Sequence, residues 1–95
     1  MQDNQAYHKT HVETVANIIL EVIRKNPNIT THGVSTEVRK NPVFPNISDS
    51  MVRQYLKAIH KSGHIQKMGV ALHSYKSIND TPFKYMPVAF NKKRT

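Results

Sequence analysis

The stretch that says most about the fold is Ser48-Asp-Ser-Met-Val-Arg-Gln-Tyr-Leu-Lys-Ala-Ile-His-Lys-Ser-Gly-His-Ile-Gln-Lys67. Four apolar residues in it recur at the i, i+3, i+4, i+7 spacing of an amphipathic helix, namely Val52, Tyr55, Leu56 and Ile59. Ser48 or Asp49 suits the N-cap of that helix. Gly63 suits a left-handed C-cap, with Ile65 packing back on the last turn. The stretch therefore predicts a helix that ends at a glycine and runs on into extended chain.

The opposite face of the same helix carries polar and cationic side chains suited to phosphates and base edges: Ser50, Arg53, Gln54, Lys57 and Lys61. Exposed helix faces are usually charged, so this face alone is consistent with ordinary solvated surface. However, no acidic residue lies between Lys57 and Asp80 to pair with these lysines. The one-sided charge favours contact with a polyanion.

The charge of the whole chain is distributed in the same asymmetric way. Residues 1–52 contain five Lys and Arg against five Asp and Glu, whereas residues 53–95 contain nine against Asp80 alone. The net charge of +8 thus lies entirely in the second half. Three of those cations, Lys92, Lys93 and Arg94, form a basic tail over 91–95, which we expect to be flexible and either to solubilise the terminus or to hold phosphates.

Two further helices are predicted upstream. The first begins at Thr10, which forms a capping box with Glu13, and ends before Asn26-Pro27. Residues 1–9 are polar and aperiodic and are expected to form a flexible arm. The second helix begins at Thr30 or Thr31 and ends at Asn41-Pro42.

Downstream of Gly63 the apolar spacing changes to an extended type, in Ile65, Val70, Leu72, Tyr75, Ile78, Phe83, Tyr85 and Val88. Turn residues occur at Lys67-Met68-Gly69 and at Asn79-Asp80-Thr81-Pro82. This pattern predicts a β-hairpin of two or three strands. The sequence thus predicts one α+β domain over 10–90, between the arm and the tail.

Several functional classes find no support in the sequence. Cysteine is absent, and no Gly-rich phosphate loop or nucleophilic triad motif is present, so we expect no enzyme and no cofactor. The pairs His60/His64 and His8/His11 have helical spacing but no acidic or thiol ligand nearby, so we expect no metal site. Without a signal peptide or an apolar run long enough for a bilayer, the chain is expected to be cytoplasmic, and nucleoid-associated if prokaryotic.

The order of helix, helix, turn, helix and hairpin over 29–86 resembles a winged helix-turn-helix domain, most sharply over 48–67. The resemblance implies that the third helix enters the major groove of DNA and that the hairpin, or wing, lies along the backbone or in the minor groove. Carried over by position, the groove-facing residues are Ser50, Arg53, Gln54 and Lys57. Phosphates are flanked by Lys61 and Lys67, and Lys76 or Lys84 lies on the wing.

The function expected from these observations is sequence-guided binding of double-stranded DNA, as a small transcription regulator or as a protein that organises a DNA site. The compactness of the chain suggests a phage or plasmid origin. Two alternatives stay open: a winged-helix module that binds an acidic surface of a polymerase or regulator, and an RNA-binding domain. A homodimer, or an oligomer that grows with DNA length, is also compatible with the sequence.

Overall fold

A computed structural model describes residues 2–69 and 73–84, with side chains from Thr10 onward. The elements are, in chain order, α1 (Gln2–Lys25), β1 (Ile29–Thr30), α2 (Thr31–Arg39), α3 (Asp49–Lys61), β2 (Ile65–Met68) and β3 (Ser74–Ser77). The predicted α+β class is confirmed. The predicted strand residues after Lys84 and the basic tail lie outside the described residues.

The first helix starts earlier than the sequence predicts. It begins at Gln2 instead of Thr10, so the backbone of residues 2–9 is helical where a flexible arm was expected. Thr10 therefore lies inside the helix, and its carbonyl oxygen accepts a bond from the Thr14 hydroxyl at 2.9 Å. The physical reason is that no glycine or proline precedes Thr10, and extending a formed helix fixes only one further residue per hydrogen bond.

The caps of the other two helices agree with the prediction. The Thr30 hydroxyl accepts a hydrogen bond from the Gly33 amide at 3.1 Å at the start of α2. The Ser48 hydroxyl accepts one from the Met51 amide, also at 3.1 Å, at the start of α3. At the other end of α3, Gly63 has a φ of +85° and donates to the His60 carbonyl at 3.1 Å. Together with a bond from the His64 amide to the Ile59 carbonyl (3.3 Å), this forms a Schellman C-cap.

The three strands form one antiparallel sheet in the order β1-β3-β2. The sequence did not reveal β1, because two residues are too few to show an alternating pattern. It also placed the hairpin turn too early, since Lys67 and Met68 belong to β2. Gly69 follows the last residue of β2 and has a φ of +86°, which suits glycine.

The core lies between the three helices and one face of the sheet. Its buried side chains are Val15, Ala16, Ile19, Leu20 and Ile23 of α1, Val34 and Val38 of α2, Val52, Leu56 and Ile59 of α3, and Ile65 of β2, whereas Val12 and Val22 of α1 are partly buried. Tyr75 of β3 and Phe83, which follows the hairpin, are also buried in this core. Within the described part of the chain, no helix has both the length and the apolar character needed to span a membrane.

The backbone of Phe83 is bonded to α1 through the side chain of Asn17, which pairs with its N–H and C=O groups as a neighbouring strand would. The Asn17 carboxamide oxygen accepts from the Phe83 amide at 2.8 Å, and its nitrogen donates to the Phe83 carbonyl at 3.3 Å. The Thr81 carbonyl, two residues before Phe83, accepts a bond from Arg24 of α1 at 3.3 Å. The segment 79–83 therefore lies across α1 without belonging to a strand.

Candidate nucleic-acid interface

The outer face of α3 presents all five predicted side chains to solvent. Ser50, Arg53, Gln54, Lys57 and Lys61 are exposed. At about 100° per residue they occupy an arc of about 100° around the helix axis. Val52, Leu56 and Ile59 lie on the opposite side and are buried. Core packing of one stripe thus fixes the direction in which the polar stripe points.

The hairpin divides two of its predicted residues between its faces. Lys67 lies opposite Tyr75 in the register, and Lys76 lies opposite Gln66. Because cross-strand partners share a face and successive residues alternate, Lys67 is on the face of the buried Tyr75, and Lys76 is on the outer face. Lys84 is exposed directly after the buried Phe83. Lys92, Lys93 and Arg94 lie outside the described residues.

The cations of residues 53–84 have no partners within the described chain. No ion pair or hydrogen bond from a described residue reaches the charged groups of Arg53, Lys57, Lys61, Lys67, Lys76 or Lys84. The one carboxylate in this region, Asp80, lies 3.9 Å from Arg24 of α1. The charge of this surface is therefore available to an external anion.

One carboxylate does lie at the start of α3, and it is compensated. Asp49 accepts from the Arg39 guanidinium at 2.8 Å and lies 3.2 Å from the His32 ring. The Ser35 hydroxyl has two acceptors within reach, this carboxylate and the Thr31 carbonyl at 3.2 Å. Hydrogen bonds from Ser35, His32 and Arg39 lower the pKa of Asp49 to about 2.

These partners of Asp49 were not predicted from the sequence. His32, Ser35 and Arg39 are spaced i, i+3, i+7 and so form one stripe along α2, which meets Asp49 at the first turn of α3. The spacing is visible in the sequence, but the stripe is polar and gave no apolar periodicity to detect. Its role depends on the packing of α2 against α3.

The histidines are placed in different surroundings. His60 is exposed, whereas His64 is 7% exposed. One ring nitrogen of His64 lies 2.7 Å from the Ser62 hydroxyl, and the other lies 3.3 Å from both the Pro82 carbonyl and the Thr81 hydroxyl. In the described residues no three His, Asp or Glu side chains are grouped as metal ligands.

An open apolar groove of about 560 Å³ lies beside the N-terminal end of α3. It is lined by His11 and Val15 of α1, by Val43, Phe44, Pro45, Asn46 and Ile47 of the loop, and by Ser48, Met51 and Tyr55. Val43 is 71% exposed and Met51 is 46% exposed. The groove adjoins the polar stripe of α3 but does not contain its cations.

No protein-family model matches the chain, and no curated protein matches its sequence. Among solved structures, the chain is similar to "Structure of GAS PerR-Zn-Zn", with a TM-score of 0.55 and 20% sequence identity. The matched part of the PerR structure has a winged-helix fold. The fold of this chain is a winged helix. The similarity covers 65% of this chain and 40% of the PerR chain, so it spans less than half of that protein.

The winged-helix assignment gives each element its place in the motif. α2 and α3 form the helix-turn-helix pair, and β2 with β3 forms the wing. The predicted winged-helix architecture is confirmed. The five exposed residues of α3 thus lie on the second helix of the helix-turn-helix pair.

Proposed function

We propose that this winged helix binds double-stranded DNA through the outer face of α3 and the wing, as a small transcription regulator or as an organiser of a DNA site. The observation that carries the proposal is the set of exposed cations with no carboxylate partner. A fold used for DNA recognition supports it.

In this proposal, positioning and readout are separate tasks. Lys57, Lys61 and the wing lysines attract phosphates, which supplies affinity independent of sequence. Arg53 and Gln54 are consecutive in sequence and therefore lie at the two edges of the exposed arc of α3. Their side chains suit different bases. Arginine pairs with the guanine O6 and N7 atoms, and glutamine with the adenine N6 and N7 atoms. Specificity then comes from α3, and most of the salt dependence comes from the lysines.

The charges of residues 53–84 are better suited to binding a polyanion than to solubility alone. A solubilising surface mixes charges of both signs, as residues 10–52 do. Residues 53–84 instead carry six cations and one carboxylate, and that carboxylate pairs with α1. Such a one-sided surface raises the local concentration of anionic partners and steers their approach.

The proposal is tested by fluorescence anisotropy of a labelled DNA duplex across about 50 to 200 mM salt, with structured RNA as competitor. If Lys57, Lys61, Lys67 and Lys76 all contact phosphates, log K falls with log salt at a slope of about −4. Selection of duplexes from a randomised pool then shows whether a preferred sequence exists. Absence of duplex binding at the lowest salt overturns the proposal. If RNA binds more tightly than duplex DNA, the ligand is RNA and the proposal is also overturned.

A second candidate function is binding to an acidic protein surface, and the groove with exposed Val43 and Met51 favours it. Protein interfaces combine an apolar centre with a charged rim, and this groove lies beside cationic α3. Polyglutamate tests the charge component alone. Binding of polyglutamate as tight as that of duplex DNA at equal salt favours this second function.

A further inference from the structure

One side chain, that of Arg39, hydrogen-bonds both the last residue of the α2–α3 loop before the N-cap and the first residue of α3. The Nε atom of Arg39, the last residue of α2, donates to the Ile47 carbonyl at 2.8 Å. Its Nη2 atom donates to the Asp49 carboxylate at 2.8 Å. Ile47 precedes the N-cap residue of α3, and Asp49 is its first helical residue. Arg39 thus ties the end of α2 to both the end of the loop and the start of α3.

The loop itself offers few other constraints at this point. Its first part is ordered by a turn in which the Phe44 amide donates to the Asn41 carbonyl at 3.0 Å. Among described residues, the only hydrogen bond to the backbone of residues 45–47 is the one from Arg39. The connection from Lys40 to Ser48 is also longer than the turn of 3–4 residues usual in a helix-turn-helix. A long loop restricts the angle between its helices less than a short turn does.

Arg39 also compensates the only charge on this end of α3 that DNA would repel. Asp49 lies one residue before Ser50, which begins the proposed DNA-facing stripe. With Arg39 and His32 on its oxygens, the carboxylate is directed towards α2. An unpaired carboxylate at this position would oppose phosphates near the first turn of α3.

We propose that Arg39 is a positioning residue for sequence readout: it sets the orientation of α3 against α2 through Ile47 and Asp49. This inference rests on the proposed function. Arginine suits the task because its planar guanidinium presents several donors in a fixed arrangement. A lysine at the same place keeps the charge but offers one ammonium group, which does not hold both acceptors in the same geometry.

The test compares three variants with the wild-type chain. Arg39→Lys keeps the charge and removes the fixed two-ended geometry. Asp49→Asn keeps an oxygen that accepts from Arg39 and removes the negative charge. Lys40→Gln is the matched control, because Lys40 is the next residue along and pairs at 3.0 Å with Glu37, within the same helical turn.

The readout is the ratio of affinities for two duplexes, one selected by the wild-type chain from a random pool and one scrambled. For Arg39→Lys we expect this ratio to fall about tenfold, the discrimination of one well-placed base contact, with the scrambled duplex bound within about twofold of wild type. Lys40→Gln is expected to keep the ratio, and Asp49→Asn, which weakens one of the two Arg39 bonds, is expected to lower it less than Arg39→Lys does. A purely electrostatic role for Arg39 predicts no change in the ratio for Arg39→Lys.

A second readout uses the free protein. Residual dipolar couplings of backbone amides report the angle between α2 and α3, and we expect Arg39→Lys to change it while Lys40→Gln does not. An unchanged angle in a folded Arg39→Lys overturns the inference even where DNA binding is lost. An unchanged ratio overturns it while leaving the proposed function intact. A wild-type chain that binds duplexes without any sequence preference also overturns the inference, since no readout then exists to position, whereas absence of duplex binding overturns the proposed function.

Discussion

Residues 10–52 and residues 53–84 use their charged side chains in opposite ways. In the first region each of Arg24, Lys25, Arg39 and Lys40 lies within 4.0 Å of a carboxylate, at distances from 2.8 to 3.9 Å. In the second region none of the six Lys and Arg side chains has such a partner among the described residues. Both regions contribute apolar residues to the same core.

A small chain can thus use one set of charged residues within the fold and another for binding. Charges that pair inside the molecule leave little field outside it, whereas unpaired cations on one surface act on a distant anion. Surface ion pairs contribute little to stability, so leaving the second region unpaired costs the fold little. The comparison predicts that substitutions in the two regions affect different measurements.

The largest effect is expected on DNA affinity from the double variant Lys57→Ala/Lys61→Ala. Loss of two phosphate contacts lowers affinity roughly fiftyfold at about 0.1 M salt and makes the salt slope shallower by about 2. The matched control is Lys25→Ala/Lys40→Ala, which removes the same charge from paired positions and should change affinity much less. Equal losses of DNA affinity in the two double variants would show that only net charge matters and would contradict the distinction between paired and unpaired cations.

A smaller effect is expected at Gly63, which joins α3 to the wing. Its φ of +85° suits glycine, and a Cβ atom there would contact nothing within 4 Å, so Gly63→Ala adds conformational strain without a clash. We expect a loss of about 1 kcal/mol in the free energy of unfolding, measured by urea denaturation. Gly63→Asn should cost less, because asparagine tolerates the left-handed region. An unchanged urea midpoint for Gly63→Ala would contradict the Schellman cap.

The pairing of Asp49 is expected to show in the acid limb of stability. Its pKa is about 2 in the folded chain, below its usual 3.8, so it stabilises the fold above about pH 4. That contribution is lost as the pH falls from about 4 to about 2. We expect Asp49→Asn to lower stability at pH 6 and to flatten its decline below pH 4, measured by thermal unfolding at each pH. A parallel decline in both proteins would contradict the pairing.

The smallest effect is expected from breaking an ion pair of the first region. Lys25 lies 3.8 Å from Glu21, and both side chains are largely exposed. Lys25→Ala should change the free energy of unfolding by less than about 0.5 kcal/mol. A loss well above that value would mean that the paired charges of residues 10–52 hold the fold together, and the separation of tasks drawn above would not hold.

The parts of the fold that the sequence predicted are those specified by local pattern. α3 was predicted with its N-cap, its glycine C-cap and its two faces, since each depends on residues within one or two turns. β1 was not, because its two residues become a strand only by pairing with Tyr75 and Ser74, more than forty residues away. The start of α1 was placed too late, because a capping-box motif also fits inside a longer helix.

For the candidate site, the sequence predicted which residues of α3 would be exposed but not what positions the helix. Arg39 lies in the last turn of α2, where basic residues are common, so nothing in the sequence indicated that it positions α3. Its bonds to Ile47 and Asp49 depend on the path of the loop, which no local pattern specifies. The register likewise places Lys67 and Lys76 on opposite faces of the hairpin, whereas the resemblance implied phosphate contact for Lys67 and a wing position for Lys76 without giving a face for either.

The bonds between Asn17 and Phe83 have a consequence for solvent exchange. Amides outside helices and strands normally exchange their hydrogens quickly, but the Phe83 amide is bonded at 2.8 Å to a side chain of the central helix. Its hydrogen is released only when the segment after Asn79 separates from α1. In deuterated water this amide should keep its signal far longer than that of neighbouring Lys84, and its exchange rate therefore reports the free energy of separating segment 79–83 from α1.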